Sequence, residues 1–382
     1  MILTEEHHMI RKTVRDFAER EIRPVARELD EKGEFSIELT KKLGDIGLFG
    51  LRTPHEYGGL DMDTLAYVLA VEELARVDSS QAATIAAHIS LGIGPILHYG
   101  TEEQKKFYLP MLATGEATWA FGLTEPEAGS DSRNTKSTAV LDGDHWIING
   151  SKTFITNGSS RINKGATVQV VTDEKDGKKE FSTILVNADT PGFRRVPMHG
   201  KMMWRASDTA ELFFSDCRVP VSNLLGKRGE GSKIMLNTLD SGRLAIAAIG
   251  LGLAQGAFEM ALKYAKQRKQ FGKPIAQFQV NAFKLADMAT KIELARNLLY
   301  KGAWLKSNDK PFAKEAAMAK LYCSEIAREV ADEAVQLHGG NGLMKEYDIE
   351  RFYRDQRLLQ IGEGTSEIQR LVISRYIGCY DD

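Results

Sequence analysis

The strongest constraint in this chain of 382 residues is a change of hydrophobic period near Thr118. The stretch "STAVLDGDHWIINGSKTFITNGSS" has short β-rich runs separated by Asp-Gly and Asn-Gly pairs. Such pairs are strong short-range hairpin signals, because both tolerate positive φ. "ATVQVVTDEKDGKKEFSTILVNADTPGF" predicts a further strand pair about "KDGKKE", and "TAELFFSDCRVP" one more strand ending at Pro220. Residues 119–225 are therefore expected to form a small antiparallel β-domain.

Both flanks follow a helical period. In "EEHHMIRKTVRDFAEREIRPVARELDE" the apolar stripe runs through Met9/Ile10, Val14, Phe17/Ala18, Ile22 and Val25, interrupted at Pro24. "TEEQKKFYLPMLATGE" opens on Thr101, an N-cap type, with acids in its first turn. After Gly226, "FKLADMATKIELARNLLYKGAWLKS" has apolar residues at Met288, Ile292, Ala295, Leu299 and Ala303. "KEAAMAKLYCSEIAREVADEAVQLHGG" stops at Gly-Gly, and a last helix is expected from about Thr365. The order helices, sheet, helices predicts an α+β multidomain fold: an N-terminal helical domain (1–118), the β-domain (119–225) and a C-terminal helical bundle (226–382). It excludes an alternating β/α chain.

The charge is balanced at a formal −2, so no basic footprint for nucleic acid is present. Cys217, Cys323 and Cys379 fit neither a zinc site nor a redox pair, and no metal site is expected from the histidines. "MILTEEHHMIRKTVRDF" lacks the pattern of a secretory signal, and no run is expected to be long and apolar enough to span a bilayer. The expected location is the bacterial cytoplasm, or the mitochondrial matrix with a leader absent.

Several stretches could carry chemistry. "GLGLAQG" (Gly250, Gly252, Gly256) has the wrong spacing for a dinucleotide loop and sits in a helical pattern, so it reads as close helix packing. "FGLTEPEAGSDS" (121–132) combines glycines, hydroxyls and acids, and suits either a polar ligand or an ordinary connection. In "KTFITNG", Phe154 and Thr156 share one strand face. They suit a flat heterocycle, or equally a core Phe beside a surface Thr. "KQRKQFGKPIAQFQ" is a solvated basic helix end or a holder of a diphosphate and an aromatic base. Asp240 and Arg243 in "LDSGRL" are an i, i+3 pair, facing solvent or a ligand. In "IGEGTSE", Glu363 stands between two glycines, which allow close approach of another molecule.

Taken together, "LTEPEAGSD", "KTFITN", "RKQFGKPIAQFQ", "VQLHGGNG" and "EGTSEIQR", in that order, resemble the acyl-CoA dehydrogenases over essentially the whole chain. "KPFAKEAAMAKL", "WRASDTAEL" and "SEIQRLVI" are similar to short-chain, butyryl-CoA members. The resemblance implies a three-domain flavoprotein with non-covalent FAD, an acyl-CoA substrate and an electron-transfer flavoprotein as partner. It also implies a homotetramer built as a dimer of dimers. By the same resemblance, Phe121, Leu123, Thr124 and Ser130 would face the flavin and its pyrophosphate, with Ser130 also near the CoA. Phe154, where many relatives have Trp, and Thr156 would pack on the flavin ring. Arg268, Phe271, Gln279, Gln336, Gly339 and Gly340 would bind the FAD of a neighbouring subunit. Asp240 and Arg243 would contact the thioester region, and Gly362 and Gly364 would lie beside the substrate. Thr365, Ser366 and Glu367 would bind FAD at a helix start, where free N–H groups and the dipole favour anionic atoms.

Glu363 matches the family's catalytic base, whose pKa burial raises so that it can take the α-proton, with hydride passing to flavin N5. Some relatives carry the base at the position matching Gly242, which has no side chain here. Three departures stand out: Gly362 where short linear-chain members commonly have tyrosine, Glu127 in place of a loop glycine, and a longer run after "ITN". The missing tyrosine suits a branched or alicyclic acyl group, such as isobutyryl, 2-methylbutyryl or cyclohexanecarboxyl. If a neighbour fills the gap, the substrate is butyryl-CoA. The alternatives by function are an acyl-CoA oxidase and a non-catalytic flavin- or CoA-binding protein.

Overall fold

The computed structural model describes residues 3–380. The N-terminal helices are α1 (Glu5–Phe17), α2 (Arg23–Lys32), α3 (Ile37–Asp45), α4 (Thr64–Ala75), α5 (Ser79–Ala87), α6 (Gly94–Tyr99) and α7 (Glu102–Ala113). A π-helical turn, Ala18–Ile22, separates α1 from α2, and Pro24 sits in the first turn of α2, where its missing N–H costs nothing. Thr101 caps α7 with a capping box to Gln104, as its N-cap chemistry predicts. A second π-helical turn, His88–Ile93, joins α5 to α6 and carries Ser90 and Leu91. Such turns are frequent at functional sites.

The middle strands are β1 (Thr118–Gly122), β2 (Thr138–Asp142), β3 (His145–Thr156), β4 (Asn163–Lys175), β5 (Lys178–Asn187), β6 (Phe193–Pro197), β7 (Thr209–Pro220) and β8 (Leu224–Leu225). They form one sheet in the order β6-β7-β3-β2-β4-β5-β8, with β1 added on β4. The sheet is antiparallel except where β1 and β2 meet β4 in parallel. The β4–β5 hairpin turns on Asp176-Gly177, both at positive φ, as expected. Asn149-Gly150 corrects the turn reading: β3 runs straight through it with a register shift. Gly150, at φ 142°, makes room for Ser137 there. The pair marks a bulge, because both flanking runs bond the same partner, β7.

The C-terminal bundle comprises α8 (Gly231–Gln267), a short hairpin of β9 (Lys269–Gln270) and β10 (Lys273–Pro274), α9 (Gln279–Ser307), α10 (Ala313–His338), α11 (Ile349–Leu359) and α12 (Ser366–Tyr376). Helix α8 runs through the main core, between α4 of the N-terminal helices and α10. A Cβ at Gly250 would lie 2.9 Å from the Cys323 carbonyl oxygen, and one at Gly252 or Gly256 would strike the Glu72 or Arg76 carbonyl. The "GLGLAQG" stretch is therefore a close-packing device. The reading that no run is apolar enough to cross a membrane is corrected by α8, which is long and apolar enough by composition. Its apolar window is 78% buried within the protein, as befits a core helix.

Candidate active site

Three elements bring Glu363 to a buried point. The loop between α11 and α12 carries it, with φ of 52° at Glu363 and 94° at Gly364. The positive φ turns the chain back so that Thr365 can cap α12, its Oγ1 accepting from Ile368 N–H at 3.2 Å. Helix α8 supplies Gly242, and the π-helical turn supplies Leu91. A Cβ built at Gly242 would collide with Glu363 Oε2 and lie 3.2 Å from Leu91 Cδ2. Glu363 Oε2 is buried and has no hydrogen-bond partner.

Glu363 as a residue is half-buried, and Oε2 is the atom the fold covers. Burial pushes the Glu363 carboxyl up to about 7, opposed by the positive charges of Lys320 and Arg243. Lys320, fully buried on α10, donates from Nζ to the Gly364 carbonyl at 2.7 Å. Burial brings its ammonium down to about 8, against the pull of Glu363. Arg243 is buried and pairs with Asp240, so that pair forms, while Arg243 Nε has no partner. Gln369 reaches back to the Gly364 carbonyl at 2.9 Å and fixes the loop from the α12 side.

One wall of this chamber is the β-domain. Phe121 and Leu123 form a small apolar cluster with Met235, joined by Leu91 and Leu239. Thr153 N–H donates to the Thr124 carbonyl at 2.9 Å, so the end of β3 lies beside the 121–132 loop. At that end Phe154 holds φ 60° and is 67% exposed, with Thr156 half-buried on the same face and Ile155 buried beneath. The core-Phe alternative is thereby excluded. Ser130 and Gly129 are exposed at the loop tip, as is Glu127. Glu125, however, faces inward. It accepts from Lys152 Nζ at 2.7 Å and from the Lys136 and Ser137 N–H groups at 2.6 and 3.1 Å. Burial pushes Glu125 up, but Lys152 and these donors outweigh it and leave it lowered.

The remaining residues form a second group. Arg268 ends α8, roughly 37 Å along the helix from Arg243 at 1.5 Å per residue. Arg268, Phe271, Gln279, Gln336, Gly339 and Gly340 are all exposed, Phe271 at 93%. Near them Tyr264, whose carbonyl accepts from Arg268 N–H, stacks its ring on His338 at 4.4 Å and accepts at its hydroxyl from Asn341 at 2.8 Å. Thr365, Ser366 and Glu367 belong to the first group, although Thr365 Oγ1 is occupied as a cap and Ser366 Oγ donates to Glu325 at 2.9 Å.

The chain matches three family profiles in sequence: Acyl-CoA dehydrogenase, N-terminal domain, over residues 4–116; middle domain, over 120–217; and C-terminal domain, over 229–378. The chain belongs to the acyl-CoA dehydrogenase family. It is 46% identical to a short-chain specific acyl-CoA dehydrogenase of Clostridium acetobutylicum, covering 97% of this chain and 98% of the relative. The solved butyryl-CoA dehydrogenase of Megasphaera elsdenii superposes with a TM-score of 0.96 at 42% identity, covering 99% of both chains. A chain solved in work on the electron transferring flavoprotein of Acidaminococcus fermentans and flavin-based electron bifurcation gives 0.97 at 46% identity, again over 99% of both. As an acyl-CoA dehydrogenase the protein is an FAD-dependent oxidoreductase acting on a CH–CH group. The residues present fit that cofactor. Phe154 offers an exposed aromatic face on a strained backbone, and Glu363 Oε2 a buried proton acceptor without a partner.

Sequence reasoning missed Lys320, and Lys152 with Glu125. Lys320 had a signal: it lies on the buried stripe Ala316, Ala317, Cys323, Ser324, Ala327 of α10, where a lysine needs a reason. Among the described residues no cluster of His, Cys, Asp or Glu could hold a metal ion.

Proposed function

We propose that this acyl-CoA dehydrogenase oxidises a short acyl-CoA at its α,β-bond, with Glu363 as the base. The observation that carries the reading is Glu363 Oε2, buried and without a partner, on a carboxyl raised to about 7. A carboxylate so placed takes a weakly acidic α-proton more readily than a solvated one, since its own solvation opposes the transfer less. The Glu363 N–H, turned by positive φ, is the backbone donor available to a thioester oxygen as negative charge develops there. Arg243 and Lys320 lie near enough to favour the ionised base. Phe121, Leu123, Thr124, Ser130, Phe154, Thr156, Thr365, Ser366 and Glu367 would hold FAD, which when bound accepts the β-hydrogen as hydride. Asp240, Arg243, Gly362 and Gly364 would line the thioester path.

The exposed group at the far end of α8 would reach the FAD of a second subunit in a dimer of dimers. Its distance from Arg243 and its exposure support that reading. An electron-transfer flavoprotein is the proposed electron acceptor. Gly362 carries no ring, and the atoms nearest a Cβ built there all belong to Leu358, Cδ2 at 3.0 Å. That supports a branched or alicyclic acyl group over a plain butyryl one. The domain division is proposed at 118/119 and 225/226. Anaerobic bleaching of the bound flavin by linear, branched and cyclic acyl-CoAs tests the reading. Bleaching by none of them removes it.

A further inference from the structure

Between β6 and β7 an arm, residues 198–208, leaves the sheet and enters the helical core. Trp204 on this arm is buried in the cluster built by the N- and C-terminal helices, not in the core of the β-domain, and Met203 packs against the same cluster. Two features of Trp204 are unfavourable. Its φ is 45°, which a bulky residue seldom adopts, and its indole Nε1 is buried without a partner. Such strain persists only where the surroundings over-determine the conformation, and it gathers where geometry matters to function.

A buried carboxylate holds the arm at each end. Asp355 of α11 accepts from the Trp204 N–H at 2.8 Å, and its neighbour Arg354 donates to the Met202 carbonyl at 3.1 Å. At the other end Asp208 Oδ2 accepts from the N–H groups of Ser159 and Ser160 at 2.9 and 2.8 Å, and its second oxygen accepts from Ser159 Oγ. The Asn157 N–H donates to the Asp208 carbonyl at 2.9 Å. Between the two ends the Ser207 N–H and Oγ both donate to the Trp204 carbonyl, at 3.0 and 2.9 Å, so the connection is a tight turn and not slack chain. The two ends lead to the two halves of the site. Helix α11 closes at Leu359, and the loop after it carries Glu363. Asp208 holds the turn that follows Phe154 and Thr156, and the next residue of the arm's strand, Thr209, pairs with Thr156. Helix α11 packs chiefly on α8 and α10, and among the described residues its hydrogen bonds to the β-domain are the two to the arm.

We propose that Asp208 and Asp355 are positioning residues for the reaction: through the arm they set the end of β3, with Phe154 and Thr156, against the loop that carries Glu363. The inference rests on Glu363 being the base and on that end of β3 facing the flavin. Both carboxylates act through other residues, so their loss should disturb the alignment of the two halves and leave the groups themselves in place.

The test uses the full FAD-loaded chain. Amide hydrogen exchange reads the link without reference to activity: Asp355→Ala, made in α11, should speed exchange at Ser159 and Ser160 about 2- to 30-fold, the range of coupling between separated sites. Anaerobic flavin bleaching by butyryl-CoA should slow about 10–100-fold in Asp355→Ala and in Asp208→Ala, with thioester affinity kept. The isotope effect from deuterium at the β-carbon should rise, because hydride transfer loses its alignment. The double alanine variant should be little slower than the slower single one, since one arm serves both ends. Asp208→Asn and Asp355→Asn keep an acceptor oxygen and should recover most of the rate; if the alanine variants fail to fold, exchange and the isotope effect in the asparagine variants decide in the same way. Unchanged exchange at Ser159 and Ser160 overturns the proposal. So do losses that add in the double variant, or a loss confined to FAD content with the isotope effect unmoved, which is a structural role alone. Glu363→Gln separates this proposal from the reading beneath it. If that variant bleaches at the wild-type rate, the reading of Glu363 fails and this proposal falls with it; if it is slow while the arm variants are not, this proposal alone fails.

Discussion

The carboxylate of Glu363 occupies the space that a side chain at Gly242 would need. The two positions that the resemblance offers for the base, 242 and 363, are therefore neighbours over one point of α8, and only one of them can hold a side chain at a time. The glycine at 242 is a packing requirement of the glutamate at 363.

Gly242→Ala should displace the carboxylate and lower kcat about 100-fold, the usual cost of a misplacement of about 1 Å. In a Glu363→Gly background the same change should cost little, and Gly242→Glu in that background should restore turnover above either single variant. Steady-state kinetics of the double-mutant cycle check this. Additive losses would contradict the shared space.

The pH dependence follows from the raised carboxyl. Glu363 must be ionised to accept a proton, so kcat/KM should rise with pH and level off above about 7. Lys320 favours the ionised form, so Lys320→Met should move the rising limb to higher pH, while Lys320→Arg should leave it nearer the wild-type position. A merely structural role for Lys320 would lower the amount of active enzyme without moving the limb. Flavin-bleaching rates across the pH range distinguish the two.

Gly362 has no positive φ, so the backbone tolerates a side chain there, and the atoms nearest a Cβ belong to Leu358. Gly362→Tyr should lose branched and cyclic thioesters at least tenfold more than butyryl-CoA, by filling the space beside the substrate. An unchanged ranking of substrates would show that the space lies elsewhere.

The Glu125–Lys152 pair fixes the 121–132 loop from beneath. Glu125→Ala leaves a fully buried ammonium without its anion, and should destabilise the fold by about 3–5 kcal/mol. Replacing both residues, Glu125→Leu with Lys152→Met, should recover much of that loss. Denaturant midpoints of the three variants check this.

The helix-sheet-helix order was legible because periods of 3.6 and 2 leave different apolar spacings. Turn chemistry was legible where local geometry decided it, as at Asp176-Gly177. It misled at Asn149-Gly150, where pairing of β3 with β7 overrides the local signal and converts the glycine into a bulge. At the site, Glu363 was visible through its glycines and the motif around them. Lys320 was not, because its importance comes from burial and from a contact with the Gly364 carbonyl 44 residues away, which sequence spacing does not record. Glu125 was read as loop chemistry for the same reason: its partner, Lys152, is 27 residues away on another strand.

The most direct test of the central claim is anaerobic mixing of FAD-loaded Glu363→Gln with acyl-CoA, alongside the wild type. The account predicts that the variant retains its flavin and binds the thioester, yet bleaches about 10²–10⁴-fold more slowly. Bleaching within a few-fold of the wild-type rate would contradict it, since the proton would then be leaving to another group.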